Sequence, residues 1–123
     1  MAKTPSRHPF LDDLADHVVL VASVLRRPVA GREAVVQVIK AGASQYLRQT
    51  PRFLDHVGER SYFEYDIDLH DGLSGTGTVV IVRDANEAVV GLTIGFAPLD
   101  VVLSIASGVR AQLTPALEAS YFL

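Results

Sequence analysis

The chain has 123 residues, 49% of them apolar and 20% charged, with no cysteine and a formal net charge of −3. That length and apolar share suit a single domain with its own core, and the lack of cysteine excludes disulfides, thiolate metal sites and cysteine nucleophiles. A mildly negative chain has no pull on a phosphate backbone, and no apolar run reaches the ~20 residues that span a bilayer, so neither nucleic acid nor membrane is an expected partner.

Met1 to Pro9 is polar, carries Pro5 and Pro9, and reads as a flexible N-terminal arm. It has no apolar core of a signal peptide, so a cytoplasmic location is expected. Pro9 suits the first position of a short helix whose stripe is Phe10, Leu11 and Leu14. His17 to Leu25 is almost entirely β-branched or apolar, which predicts a strand buried on both faces and broken by Arg26, Arg27 and Pro28.

Gly31-Arg32-Glu33-Ala34 opens the clearest helical pattern, with Val35, Val38, Ile39, Gly42 and Tyr46 at three- and four-residue spacing. Glu33 falls in the first turn, where the helix dipole favours an acid. Thr50 and Pro51 are expected to end the segment. Arg52 to Val57 then predicts a short strand, with Phe53, Asp55 and Val57 on one side and Leu54 and His56 on the other.

After Gly58-Glu59-Arg60, Ser61 to His70 alternates cleanly. Phe63, Tyr65, Ile67 and Leu69 face one way and Glu64, Asp66, Asp68 and His70 the other, the pattern of a half-buried antiparallel strand. Asp71-Gly72 is a hairpin signal leading into a strand from Gly75 to Arg83. Asp84 to Glu87 makes the next turn, and Ala88 to Phe96 pairs back. Pro98 stops the ladder, and Asp100 is placed to cap a last helix built on Val101, Leu103, Ile105 and Val109. Thr114-Pro115 ends it, leaving a C-terminal tail, 114–123, with Tyr121, Phe122 and Leu123 exposed.

Four segments in this order resemble the nuclear transport factor 2-like superfamily, which includes SnoaL-like polyketide cyclases and ketosteroid isomerases. Phe10 to Leu20 is similar to its junction of first helix and first strand, and Pro28 to Val35 to its Gly-[Arg/Lys]-[Glu/Asp]-Ala helix start. Gly58-Glu59-Arg60 is similar to the turn before its longest strand, and Phe96-Ala97-Pro98-Leu99 to its closing Arg-Pro-Leu. The resemblance covers residues 10–113 and implies an α+β fold: a curved mixed or antiparallel sheet wrapped with helices into a cone-like pocket, a cystatin-like α+β barrel. Two departures stand out. The family's long first helix is cut to a few residues, and Ala97 replaces the arginine before the closing proline.

The resemblance also says where isomerase chemistry would lie. Its aspartate base falls at Ala22, its second acid at Val79 or Ile81, and its tyrosine on the truncated first helix, so all three roles are empty here. Other enzyme branches use an acid–base aspartate, for which Asp55 and His56 are the candidates. Either Asp55 shares the pocket with Phe53, where desolvation would raise its pKa, or the short strand is an edge and both residues are solvated. Pocket-lining positions are expected at Leu20, Ala22, Tyr46, Phe53, Tyr65 and Phe96, whose aromatics either line a ligand cavity or fill the core.

Three features read as structural. Asp66, Asp68, His70 and Asp71 are a solvated strand face rather than a metal site, and no metal or other cofactor is expected. Gly72, Gly75 and Gly77 lack the lysine of a phosphate loop and predict a bulge or strand bend. Arg26, Arg27 and Arg32 are expected to pair with acids such as Glu33. The expectation is therefore a small lipophilic molecule bound in an apolar pocket, with a homodimer formed by the sheet face. The alternatives are a cyclase, isomerase or epoxide-hydrolase type enzyme using Asp55 or His56 with Tyr46 or Tyr65, and a protein–protein module using the tail Tyr121-Phe122-Leu123 and the sheet face.

Overall fold

The computed structural model describes residues 10–123, and the arm at 1–9 lies outside the described residues. A 3₁₀ turn, Leu11–Asp13, leads into β1 (Leu14–Ala22), β2 (Val29–Ala30) and helix α1 (Arg32–Ala43). Strands β3 (Tyr46–Val57), β4 (Arg60–Leu69), β5 (Ser74–Arg83) and β6 (Val89–Ala97) follow, then helix α2 (Leu99–Leu113) and a last 3₁₀ turn, Ala119–Tyr121. The strands form one mixed six-stranded sheet in the order β2-β1-β6-β5-β4-β3, parallel only between β1 and β6. The fold is α+β with a curved sheet, as expected. The expected barrel does not form, because β2 and β3 are free edges.

β1 corrects one expectation. It starts at Leu14 and alternates, with Val18, Leu20 and Ala22 buried and Val19 and Val21 exposed. The apolar run looks two-sided because valines on its open face are as apolar as those on its core face. α1 begins where Gly31 takes a φ of 97°, in the left-handed region that a side chain resists. Gly31 N–H donates to the Val18 carbonyl, and Arg32 Nε donates to the Leu14 carbonyl at 3.1 Å while its guanidinium pairs with Asp16. The partner of Arg32 is thus Asp16 and not Glu33. Arg27 pairs with Glu118.

α1 ends at Ala43, earlier than its apolar spacing suggested, and Tyr46 belongs to β3. Ser44 Oγ donates back to the Ala41 carbonyl at 2.7 Å, and the Gln45 carbonyl then accepts from His70 N–H, which delivers the chain into the sheet. β3 runs straight through Pro51, which a central strand would not tolerate. β3 is an edge, and its register shifts between Pro51 and Phe53, the two settings in which proline is admitted.

The core lies between the inner sheet face and the two helices. α2 buries Val101, Ile105, Ala106, Val109 and Leu113, while Leu103 faces solvent. Its N-cap is Pro98; Asp100 sits in the first turn and does not cap by its side chain. The tail also departs from expectation. Phe122 is 3% exposed and bridges to Leu25, Arg26 N–H donates to the Tyr121 carbonyl, and the Arg27 guanidinium lies 3.8 Å from the Tyr121 ring centre. Phe122 is therefore a core residue, its burial contributing roughly 1.5–3 kcal/mol.

Candidate functional site

Sheet register decides which side chains meet. Three rungs cross the inner face. Leu20, Leu92, Ile81, Ser61 and His56 make the first, and Ala22, Ile94, Val79, Phe63 and Leu54 the second. Phe96, Gly77, Tyr65 and Pro51 make the third. Over the second and third rungs stand Val38, Ile39 and Gly42 of α1 and Ile105 and Val109 of α2, with Phe10 closing one side. They enclose a cavity of about 70 Å³ whose exposed lining residues, Ala43 and Gln49, mark its mouth.

Gly77 creates the space in which the key side chain lies. A β-carbon at Gly77 would collide with the ring of Tyr65, its partner across the ladder. Pairing through Gly75 and Gly77 is regular, so these glycines make no bulge. Gly77 lets the Tyr65 ring lie over β5, while Gly75 leaves room for the Ala97 carbonyl and the Val101 side chain. Tyr65 is 4% exposed, packs on Phe63 at 5.2 Å between ring centres, and places its hydroxyl oxygen 3.1 Å from that of Tyr46. The Tyr46 ring meets Tyr65 at 6.1 Å and the Phe96 ring edge at 6.4 Å. These distances fall in the favourable range for aromatic pairs.

Burial pushes the Tyr46 hydroxyl far above the ordinary tyrosine value, and the neighbouring Tyr65 adds to the effect. Burial raises Tyr65 as well, partly opposed by its hydrogen bond with Tyr46. Both hydroxyls therefore stay protonated at neutral pH. They act as neutral hydrogen-bonding groups.

Leu20, Ala22, Tyr46, Tyr65 and Phe96 line the cavity, and Phe53 does not. Phe53 is 48% exposed and pairs with Glu64 on the outer face, because the bulge after Pro51 reverses the alternation of β3. The same reversal puts Asp55 opposite Tyr62 on the outer face, where its Oδ1 accepts from His56 N–H at 2.7 Å. His56 points inward but lies at the far end of the first rung, with Nδ1 2.6 Å from Ser61 Oγ. Neither residue reaches the cavity. Ala22 and Val79, at the positions of a base and an acid in the isomerase resemblance, both stand in its wall.

The acidic face of β4 pairs with the edge strand, Arg52 with Glu64 and Asp66, and Arg48 with Asp68. Among the described residues no group of three or more His, Asp or Glu is arranged to hold a metal ion. Sequence reasoning missed Phe10, Gln49 and the Tyr46–Tyr65 bond. The Tyr–Gly pairing across the Asp71-Gly72 hairpin was a signal that could have revealed the ring's position.

No family model and no curated protein sequence matches the chain. Solved structures do. An uncharacterised protein with a cystatin-like fold from Silicibacter pomeroyi superposes with a TM-score of 0.78 at 17% identity, covering 86% of this chain and 75% of that one. A steroid delta-isomerase from Pseudomonas aeruginosa also reaches a TM-score of 0.78, at 14% identity, covering 89% and 80%. An NTF2-like protein of unknown function from Mesorhizobium loti gives 0.63 at 21% identity, covering 73% and 76%. The chain thus has the nuclear transport factor 2-like, cystatin-like fold.

Proposed function

We propose that this domain binds a small lipophilic molecule in the cavity between the sheet and the two helices. The lining carries this reading: among the described residues it is apolar except for Tyr46, Gln49 and Tyr65. A pocket of that kind is the usual setting for an apolar ligand oriented by a few polar groups. At about 70 Å³ it is smaller than the ~150 Å³ apolar cavity that takes up benzene. A compact ligand fits it best, and a steroid would require the walls to part.

The similarity to a steroid delta-isomerase supports the fold and not its chemistry. No carboxylate or imidazole lines the cavity among the described residues, so a proton abstracted there has no base to accept it. Asp55 and His56 lie elsewhere, so the cyclase, isomerase and epoxide-hydrolase readings keep Tyr46 and Tyr65 in the cavity but lack the acid–base residue beside them. The protein–protein reading based on the tail loses its anchor, since Phe122 is in the core.

Native mass spectrometry of freshly purified protein, followed by titration with xenon and methyl NMR of Val38, Ile94 and Ile105, tests the binding role. A co-purifying small molecule, or saturable shifts at those methyls, is the expected result. Methyls that ignore xenon in a protein carrying nothing would sink it.

We also propose a homodimer through the outer sheet face. Val21, Thr93, Val80 and Tyr62 form one row across it, and Val19, Gly91 and Val82 the next. Among the described residues no helix covers these rows, and Val21 is 47% exposed. A second copy would remove them from water by an isologous contact.

A further inference from the structure

We propose that the Tyr46–Tyr65 pair is the polar anchor of this cavity, donating one hydroxyl proton to a neutral acceptor oxygen, such as a carbonyl, on a compact apolar ligand. This rests on the binding role proposed above and specifies the ligand class.

Proton counting supports it. Each tyrosine carries one O–H donor, and the 3.1 Å contact between the two oxygens uses one of the two protons. Whichever hydroxyl donates, the other keeps a proton, and among the described residues neither has a second hydrogen-bond partner. A donor inside an apolar wall stays costly until something accepts from it. The oxygen that receives the internal bond is also polarised toward giving its own proton away. A ligand acceptor completes the chain.

The charge of the ligand follows from the same wall. No Lys, Arg or His lines the cavity among the described residues, so a carboxylate or phosphate would be buried without a counter-ion. No Asp or Glu lines it either, which removes the partner of an ammonium group. Both hydroxyls stay protonated through the physiological range, so the pair offers a donor and never a charge. Packing fixes its position: Gly77 leaves the Tyr65 ring its place, and Phe96 sets the edge of Tyr46.

The test uses two small probes of one shape, acetone and isobutene, which differ by an oxygen in place of a CH₂. Their affinities are read from methyl shifts of Val38, Ile94 and Ile105 in the wild type, Tyr46→Phe, Tyr65→Phe and the double variant. The preference for the ketone over the hydrocarbon should fall by roughly three- to tenfold in the double variant, the worth of one hydrogen bond. Each single variant keeps one hydroxyl and its proton and should fall less. An unchanged preference in the double variant overturns the anchor while leaving the binding role standing; failure of both probes to bind the wild type overturns the two together. Infrared spectra of ¹³C=O acetone bound to the wild type give a second readout that needs no variant. A carbonyl band below its position in hexane supports the anchor, and a band at the hexane position refutes it.

Discussion

Gly77 stands directly across the ladder from Tyr65, and the tyrosine ring occupies the space that a side chain at Gly77 would need. Gly77→Ala should therefore push the ring off β5 and break its contact with Tyr46. Overpacking of this kind costs about 1–3 kcal/mol. Gly95→Ala is the control, since nothing lies within 4 Å of a β-carbon there. That change should be neutral or stabilise by up to about 1 kcal/mol. Urea denaturation of both variants checks the pair, and equal effects would deny Gly77 its special place.

The tyrosine pair sets a pH dependence. Their folded pKa values lie above the ordinary 10.0, so the unfolded chain releases these protons first as pH climbs past that value. Their contribution is complete below pH 10 and declines above it, because the unfolded state then binds fewer protons than the folded one. Urea midpoints should fall more steeply above about pH 10 in the wild type than in the Tyr46→Phe/Tyr65→Phe double variant. Parallel curves for the two proteins would count against the burial described.

Phe122 tests whether the last residues belong to the domain. Phe122→Ala empties a buried aromatic site and should cost about 3–5 kcal/mol. Leu123→Ala, at an exposed neighbour, should stay within about 0.5 kcal/mol. Thermal unfolding of the two variants separates a packed tail from one that merely lies on the surface.

The outer face makes the last test. Val21→Lys places a charge in the middle of the proposed dimer contact and leaves the buried side of β1 unaltered. Sedimentation equilibrium at tens of micromolar should show a dimer for the wild type and a monomer for the variant, with similar thermal stability of the protomer. A monomeric wild type would remove the dimer from the proposal.

Local patterns were legible wherever one strand or helix carries its own signal. The alternation from Phe63 to Leu69 identified the inner face of β4, because successive strand residues point to opposite sides whatever the partner. Gly31 marked the start of α1, because the required φ suits glycine and little else. The hairpin at Asp71-Gly72 and the inward position of Tyr65 follow from such rules. The state of Tyr46 does not. Its spacing from Gly42 fits a helix, and only pairing with β4 draws it into a strand. Phe53 and Asp55 show the same limit more sharply. Their side of the sheet turns on a one-residue register shift at an edge strand, and a shift of one residue moves every later side chain to the other face. The fate of Phe122 depended on Leu25, far away in sequence, offering it a bridge and a buried place. Periodicity is a property of a segment and can be read from it; register, edge position and long-range burial belong to pairs of segments, and only the folded chain brings those pairs together.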